Sequence, residues 1–226
     1  WFWFCDPEDV EKAAMVNFFS YNKVDKPGFK VKAGLTTVID LTQDLDSIWA
    51  NMRQKFICKQ ISRGERNGIF IERNNNFRDF KKVYKMFREK KKLAKDKFFV
   101  FEKNGLLFNA YYPKSIIASG LFISDGKNIR AWVLASLRHI KDNRMREIIG
   151  QANRMIIWEA IKFAKETGHK IFDLGGIDPE SNDKSQVSLA EFKESFGGRM
   201  IEGYYYSKVY SRIIRYWLKM RNWLNI

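Results

Sequence analysis

The residues best suited to chemistry lie in one stretch, "FDLGGIDPESNDKSQVSLAEFKESFGGRM", from Phe172 to Met200. An acidic residue, Asp173, comes just before a first glycine pair, and a basic residue, Lys193, comes shortly before a second one. A glycine pair at a strand end marks a tight turn or a close approach of the backbone to another group. The pattern predicts a strand, a polar loop, a short helix and a turn. The two glycine pairs are Gly175 with Gly176 and Gly197 with Gly198.

Composition indicates a globular protein with a polyanionic partner. The chain of 226 residues has 41 Lys and Arg against 26 Asp and Glu, a net charge of +15. Such a surplus favours a nucleic acid, a phosphate-bearing ligand or an anionic membrane face, or it reflects only a basic solvated surface. The length fits one ordinary domain with extra segments, or two small ones.

Cysteine and histidine are too few for a metal centre. Cys5 and Cys58, with His139 and His169, have no metal-ligand spacing, so we expect no metal site. Two thiols without a disulfide framework suit a reducing compartment, which predicts a cytoplasmic protein. The sequence has no run of about 18 apolar residues that could span a bilayer.

The first half of the chain predicts helices between short strands. Residues 1–35 read as an aromatic strand and a helix starting in "DPEDVEKAAMVNFF", and we interpret them as the remnant of an upstream half. The alternating β-branched residues 36–41 predict a strand. A helix should follow, with Thr42 as its N-cap and its end before Gly64 or Gly68. A second helix, from Asn76 to about Lys95, has a basic outer face that is either solvated or contacts phosphate.

The second half predicts a β-meander, a long helix and a buried strand. Residues 98–137, beginning with "FFVFEKNG", form short β-rich runs, and Asp125-Gly126 is the strongest hairpin signal. The long amphipathic helix should end at Gly168. A final strand, "RMIEGYYYSK", precedes a basic amphipathic helix over residues 209–226, suited either to an anionic membrane surface or to docking on its own sheet. The predicted class is α+β, a mixed and mostly antiparallel sheet flanked by helices.

This order of elements resembles the GNAT acyltransferase fold. The segment "ANRMIIWEAIKFAKETGHKIFDLGG", followed by "FKESFGG", further resembles the Fem family of aminoacyl-tRNA-dependent transferases that build peptidoglycan cross-bridges. The resemblance covers residues 36–208, which we expect to form the acyltransferase domain. It implies an N-acyltransferase that moves an aminoacyl or acyl group to an amine of a cell-wall or surface-glycan precursor. The donor would be aminoacyl-tRNA or acetyl-CoA, with no permanently bound cofactor.

Three residues are candidates for catalysis, the first of them through the resemblance. In the family the lysine of the "FK" motif lies beside the reacting ester, so Lys193 would stabilise the developing oxyanion, unless it is an ordinary exposed residue. Asp173 could accept a hydrogen bond from an incoming ammonium or a tRNA or sugar hydroxyl, or it could cap the following loop. Tyr204 and Tyr206 share one sheet face, where Tyr204 could donate a proton to the leaving group or simply pack in the core.

A further set of residues is expected to hold the donor or substrate. Arg146, Asn153 and Arg154 should gather at the N-terminal turns of the long helix, where donors meet phosphates, and Gly150 could open that helix toward an anion. The complete set is Gly175, Gly176, Phe192, Phe196, Gly197, Gly198, Arg146, Gly150, Asn153 and Arg154.

Two other functions fit the same sequence. One is an acetyl-CoA-dependent N-acetyltransferase acting on an amino sugar. The other is a non-catalytic GNAT-like module that binds tRNA or a membrane. In each case the basic C-terminal helix could give peripheral contact at the inner face of the membrane. The oligomeric state is left open.

Overall fold

A computed structural model describes residues 1–91, 99–137, 142–214 and 216. Its strands form one nine-stranded sheet in the order β1-β2-β9-β3-β8-β7-β6-β5-β4. They are β1 (Phe2–Trp3), β2 (Met15–Ser20), β3 (Lys30–Asp40), β4 (Phe70–Arg73), β5 (Leu106–Tyr112), β6 (Ser115–Ser124), β7 (Asn128–Ser136), β8 (Ile171–Ile177) and β9 (Arg199–Val209). Most neighbours are antiparallel, while β1 pairs with β2, and β7 with β8, in parallel. The predicted α+β class is confirmed.

Strands β7 and β8 pair over a short distance and then separate. Their ladder runs from Asn128 opposite Ile171 to Arg130 opposite Asp173. Beyond this point β7 continues to Ser136 beside β6, and β8 continues beside β3. The facing edges, residues 131–136 of β7 and 174–177 of β8, are therefore not joined by a strand ladder. We call the space between them the gap.

Helices cover both faces of the sheet. They are α1 (Leu45–Asn51), α2 (Cys58–Arg66), α3 (Phe77–Lys91), α4 (Phe99–Asn104), α5 (Asn143–Glu166) and α6 (Lys184–Glu194). Apolar residues of α5, such as Ile149 and Ile156, pack with Phe108, Phe122 and Phe172 in the main core, which also takes in residues of α1 and α2. A smaller core joins α3 to the strands β5, β6 and β7. The central strands are thus held from both faces by apolar burial.

The structure divides the helix expected after Thr42 into two. Asp44, not Thr42, is the N-cap of α1, where its side chain accepts from the backbone N–H of Ser47. The chain leaves the helix at Met52, and the N–H of Arg53 then donates to the carbonyl of Ser195 at 2.9 Å. This contact with the end of α6 outweighs the local helical pattern, because helix propensity is a weak preference that tertiary bonding overrides.

Two other predicted elements differ from the structure. Residues 6–14 form no helix, and the strand β2 that follows them pairs with β9 through Met15 opposite Val209. Part of "FFVFEKNG" forms the helix α4 instead of a strand, and Glu102 of α4 is ion-paired with Lys81 of α3. The meander of β5, β6 and β7 and its turn at Asp125-Gly126 are confirmed.

The chain termini extend the sheet on one side. Strand β3 starts at Lys30, so it crosses the expected boundary at residue 36. Residues 212–214 and 216 are helical after the end of β9. Residue 215 and residues 217–226, most of the predicted C-terminal amphipathic helix, lie outside the described residues, as do residues 92–95 of the helix predicted after Asn76.

A stability prediction concerns Gly197, which joins α6 to β9. Its φ is +78°, and an added Cβ would lie 2.6 Å from the carbonyl oxygen of Asn51. Gly68 is a matched control, since its φ is +79° and a Cβ there would meet nothing within 4 Å. We expect Gly68→Ala to cost about 1 kcal/mol of unfolding free energy and Gly197→Ala at least about 2 kcal/mol more. Urea unfolding of both variants checks this, and equal losses would contradict it.

Candidate active site

A buried ion pair lies at the last paired position of β7 and β8. Ile129 and Phe172 point into the main core, so their neighbours Arg130 and Asp173 point to the opposite face of the sheet. The guanidinium Nη1 of Arg130 donates to Oδ2 of Asp173, and the two residues are 4% and 0% exposed. The pair therefore joins the two strands at the point where they begin to separate.

The Asp173 carboxylate is hydrogen-bonded on every side. Oδ1 accepts from Oγ1 of Thr36 at 2.5 Å and from the backbone N–H of Gly175 at 2.7 Å. Oδ2 accepts from the hydroxyl of Tyr21 at 3.0 Å as well as from Arg130. These four donors match the acceptor capacity of a carboxylate. The arrangement fits the capping interpretation of Asp173, because Oδ1 orders the Gly175 turn; Oδ2 in addition orients Arg130.

Aromatic side chains enclose the Arg130 guanidinium. Its Nη2 donates to the hydroxyl of Tyr205 at 2.7 Å. Its central carbon, Cζ, lies 4.3 Å from the ring centre of Phe19 and 5.7 Å from the ring centre of Trp3. Such cation–π contacts stabilise a desolvated cation. Burial raises the pKa of Tyr205, and burial and the Asp173 charge raise the pKa of Tyr21. Both phenols therefore remain protonated; Tyr21 donates its proton to Asp173, whereas the oxygen of Tyr205 accepts from Arg130.

Lys193 enters the same region from α6. Its side chain is buried, with the residue 8% exposed, and Nζ donates to the carbonyl of Gly176 at 2.8 Å. An added Cβ at Gly175 would lie 3.3 Å from Nζ and 3.2 Å from the carbonyl oxygen of Ala131 on β7. The ammonium thus lies where the gap begins. It is not the exposed helix residue of the alternative interpretation.

The ammonium of Lys193 is destabilised by its surroundings. Burial, followed by repulsion from Arg130, lowers its pKa from 10.5 to about 8, although Asp173 acts in the opposite direction. Burial disfavours the charged form of a lysine, and a neighbouring cation adds to that effect. A positive charge that is poorly compensated in the resting protein is suited to stabilise a negative charge that develops during a reaction.

The other residues of the "FKESFGG" motif hold Lys193 in place. Phe196 is fully buried in the main core, and Phe192 packs against that core with its ring centre 5.3 Å from that of Phe196. Gly197 contacts Asn51, and an added Cβ at Gly198 would lie 2.9 Å from the carbonyl oxygen of Val38. In the described structure these four residues pack the C-terminal end of α6 against α1 and β3.

Tyr204 lies on the opposite face of the sheet from Arg130. Its side chain packs with Phe18 and Tyr206, and its hydroxyl donates to Glu202. The structure therefore does not bring Tyr204 to the ion pair, and Tyr205 is the tyrosine of β9 that contacts Arg130. The alternation of the three tyrosines is as predicted, but the face that meets the site follows from the pairing of β9.

The N-terminal part of α5 differs from the expected anion-binding loop. The helix begins at Asn143, and the Asp142 carboxylate caps it by accepting from the N–H groups of Arg144 and Met145. Gly150 therefore lies inside the helix, with its carbonyl accepting from Arg154 at 2.7 Å. An acidic cap opposes a phosphate at the same helix end, because like charges repel there.

Arg146, Asn153 and Arg154 do not gather at one helix terminus. Arg146 is exposed in the first turns of α5, whereas Arg154 donates to the carbonyl of Phe56 at 2.6 Å. Asn153 donates to Oγ of Ser136, the last residue of β7, at 3.3 Å, so it marks the far end of the gap. Its buried Oδ1 has no hydrogen-bond partner among the described residues.

Sequence reasoning missed Arg130, Thr36, Tyr21 and Tyr205. One signal for Arg130 was present, because a lone arginine in the apolar run "IRAWVLASL" must be paired if that strand is buried. Thr36 and Tyr21 carry no comparable signal, since each reaches Asp173 only through distant strand pairing.

Within the described ranges, no cluster of acidic, histidine or cysteine side chains could hold a metal ion. In the same part of the chain, no helix combines the length and apolar character needed to cross a membrane.

Comparison with known proteins supports the resemblance. The model of the FemAB family matches residues 109–218. The crystal structure of FemX is 14% identical, with a TM-score of 0.66 over 90% of this chain and 74% of that one. A search of curated protein sequences finds no match.

Two lysylphosphatidylglycerol synthetase structures have the same fold. The C-terminal domain of the putative Agrobacterium fabrum enzyme is 15% identical, with a TM-score of 0.56 over 80% of this chain. L-PGS from Bacillus licheniformis is 16% identical, with a TM-score of 0.54 over 80% of this chain. This chain covers 61% and 62% of those two chains, respectively. The resemblance to the Fem family is confirmed, and the chain shares its fold with FemX and these two structures.

The buried ion pair generates a prediction about stability. Asp173→Asn leaves the Arg130 guanidinium buried without its counter-charge, so we expect a loss of about 3 kcal/mol or more in the free energy of unfolding. The control is Glu159→Gln, which breaks a half-exposed pair with Lys162 on α5 and should cost less than about 1 kcal/mol. Urea denaturation measures both, and a loss at Asp173 no larger than that of the control would contradict the prediction.

Proposed function

We propose that this Fem-like chain of the GNAT fold is an N-acyltransferase that moves an aminoacyl group to an amine of a cell-wall or surface-glycan precursor. The observation that carries this proposal is the buried ammonium of Lys193 at the point where β7 and β8 separate. Acyl transfer to an amine passes through a tetrahedral oxyanion, and a fixed cation beside the reacting carbon lowers that barrier.

The gap supplies the geometry for such a step. With the donor ester in the gap, its carbonyl oxygen would point to Nζ of Lys193, and the amine would attack the carbonyl carbon. Among the described strands, no ladder joins the backbone edge of β7 beyond Arg130 to β8, and this edge could hold an extended donor. Asp173 and Tyr205 would act indirectly, by orienting Arg130 beside Lys193.

Direct attack by the amine is simpler than a covalent enzyme intermediate. Burial is the main factor that raises the pKa of Cys5 and of Cys58, which makes both thiols poor nucleophiles at neutral pH. His169 contacts Ser124 and Thr167, and the described part of the chain contains no acid that orients this pair as a triad. The amine of the acceptor would therefore attack the donor itself.

Two observations favour aminoacyl-tRNA over acetyl-CoA as the donor. The Asp142 carboxylate caps α5, the helix end where a CoA pyrophosphate would benefit from free N–H groups and the helix dipole. The match to the FemAB family covers the gap, α5 and the Lys193 motif, and the resemblance to that family implies aminoacyl-tRNA. The position of the buried Lys193 ammonium where the gap begins, together with its lowered pKa of about 8, favours a catalytic role over a non-catalytic module.

Transfer assays test the donor and the acceptor class. The protein is incubated with charged tRNA or with acetyl-CoA, each together with amine-bearing peptidoglycan precursors and amino sugars. We expect transfer from charged tRNA. Transfer from acetyl-CoA alone would establish the N-acetyltransferase alternative, and tRNA binding without transfer from either donor would establish the non-catalytic one.

The role of Lys193 predicts a kinetic result. Lys193→Ala should lower the single-turnover transfer rate by about two to three orders of magnitude, the effect of removing one oxyanion donor. Lys193→Arg should restore only part of the rate, because a planar guanidinium places its charge differently from a compact ammonium. Lys184→Ala, at an exposed position of the same helix, is the control and should keep the parental rate. A Lys193→Ala rate within about threefold of the parent, with unchanged thermal melting, would refute the role.

The lowered pKa of Lys193 also predicts a pH dependence. The cationic form, which stabilises the oxyanion, predominates below the pKa of about 8 and is lost as the pH rises through it. Deprotonation of the acceptor amine acts in the opposite direction, so the single-turnover rate should rise with pH and then fall above about pH 8. In Lys193→Arg the descending limb should disappear, because guanidinium stays protonated. A descending limb that persists in that variant would assign it to another group.

A further inference from the structure

A groove with a volume of about 420 Å³ lies between α2 and the first half of α5. We call it the arginine groove, because its polar lining consists of Arg63, Arg66, Asn67, Arg144, Glu147 and Gln151. It is separate from the gap, and the acyl-transfer chemistry proposed above does not use it. We propose that the arginine groove binds the phosphate backbone of the tRNA donor, an inference that rests on the proposed function.

The groove has a surplus of positive charge. Arg63 forms a partly exposed ion pair with Glu147, with 3.5 Å between Nη1 and Oε1. Across the described ranges, neither Arg66 nor Arg144 forms an ion pair with an acidic side chain. Glu147 is the one acidic residue against three arginines in the lining. Cations brought together around a concave surface attract a polyanion and strengthen its binding.

The floor of the groove is a fixed neutral network. Nδ2 of Asn67 donates to Oε1 of Gln151 at 2.8 Å, and Gln151 is only 2% exposed. Nε2 of Gln151 in turn donates to Glu147 at 3.5 Å. The single carboxylate of the groove is therefore contacted by both Gln151 and Arg63. The remaining guanidinium groups, on the exposed Arg66 and Arg144, stay at the rim, where a backbone phosphate could reach them.

Arginine is better suited to this task than the lysines of α3. A guanidinium binds a phosphate through two parallel hydrogen bonds, while a lysine acts as a point charge. On α3, Lys81 is paired with Glu102 and Lys82 with Asp79, so part of that basic face is neutralised within the protein. This contrast favours the arginine groove over the α3 face as the phosphate-binding surface.

The position of the groove fits a donor that leaves the gap at its far end. From Ala131 to Ser136, β7 advances by roughly 17 Å, so the gap ends about that far from Lys193. Asn153 contacts Ser136 there, and Arg144 lies nine residues earlier on α5, roughly 14 Å along the helix. The proposal places the ester at Lys193 and the single-stranded 3′ end of the tRNA along this path. Its following phosphates would then reach the groove.

The test compares a long donor with a short one. The groove variant carries Arg63→Gln, Arg66→Gln and Arg144→Gln. The control carries Lys85→Gln, Lys90→Gln and Lys91→Gln, which remove the same charge from exposed positions of α3. Each is assayed in single turnover with charged tRNA and with an aminoacylated 3′-terminal dinucleotide that is too short to reach the groove. Binding of uncharged tRNA is measured over a range of salt concentrations.

We expect the groove variant to bind tRNA about tenfold or more weakly, with a salt slope reduced by about two, and to keep its rate with the dinucleotide. The control should keep the tRNA binding of the parent protein and its rate with the dinucleotide. Equal losses with both donors, a larger loss in the control, or a change in binding to anionic vesicles instead of tRNA would overturn the inference. If the parent protein transfers from neither donor, the proposed function fails. Separately, undiminished tRNA binding by the groove variant would overturn the inference that the arginine groove binds tRNA.

Discussion

The site depends on the ion pair between Arg130 and Asp173. It joins β7 and β8 at the last position where these strands are paired, so it fixes where they begin to separate. Removing two charges from water costs free energy, and the pair is retained only because the carboxylate receives further hydrogen bonds from Thr36, Tyr21 and Gly175. These donors come from distant parts of the chain, and together they turn a local pairing into a fixed point for the whole sheet.

The ion pair also determines the electrostatics of Lys193. Arg130 and Lys193 are two buried cations, and the acceptor capacity of Asp173, the acid that acts on both, is filled by Arg130 and three further donors. Lys193 is left with one described hydrogen bond, to the carbonyl of Gly176, and with a lowered pKa. The same constraint therefore opens the gap and places an under-compensated charge at its entrance. In this account, the packing of α6 by Phe196 keeps that charge in position.

Local patterns in the sequence predicted much of this arrangement. The meander, the strand before the first glycine pair and the helix with Lys193 follow from periodicity and turn chemistry, and the structure contains them. Asp173, Gly175 and Lys193 were identified as neighbours of the site because one short stretch holds them all. The residues that the sequence did not predict depend on long-range contacts, because Arg130 and Tyr205 meet only through sheet pairing. The anion-binding helix opening expected at Gly150 does not form, because Asp142 caps α5 and the helix begins at Asn143.

The central claim is that an acyl donor lies in the gap with its carbonyl oxygen at Lys193. The most direct measurement is a crystal structure of the protein with an amide-linked analogue of a 3′-aminoacylated terminal nucleotide, which cannot be cleaved by transfer. The account predicts that the carbonyl oxygen lies within about 3 Å of Nζ of Lys193, between β7 and β8. An analogue bound with its carbonyl on another face of the sheet, away from Lys193, would contradict it.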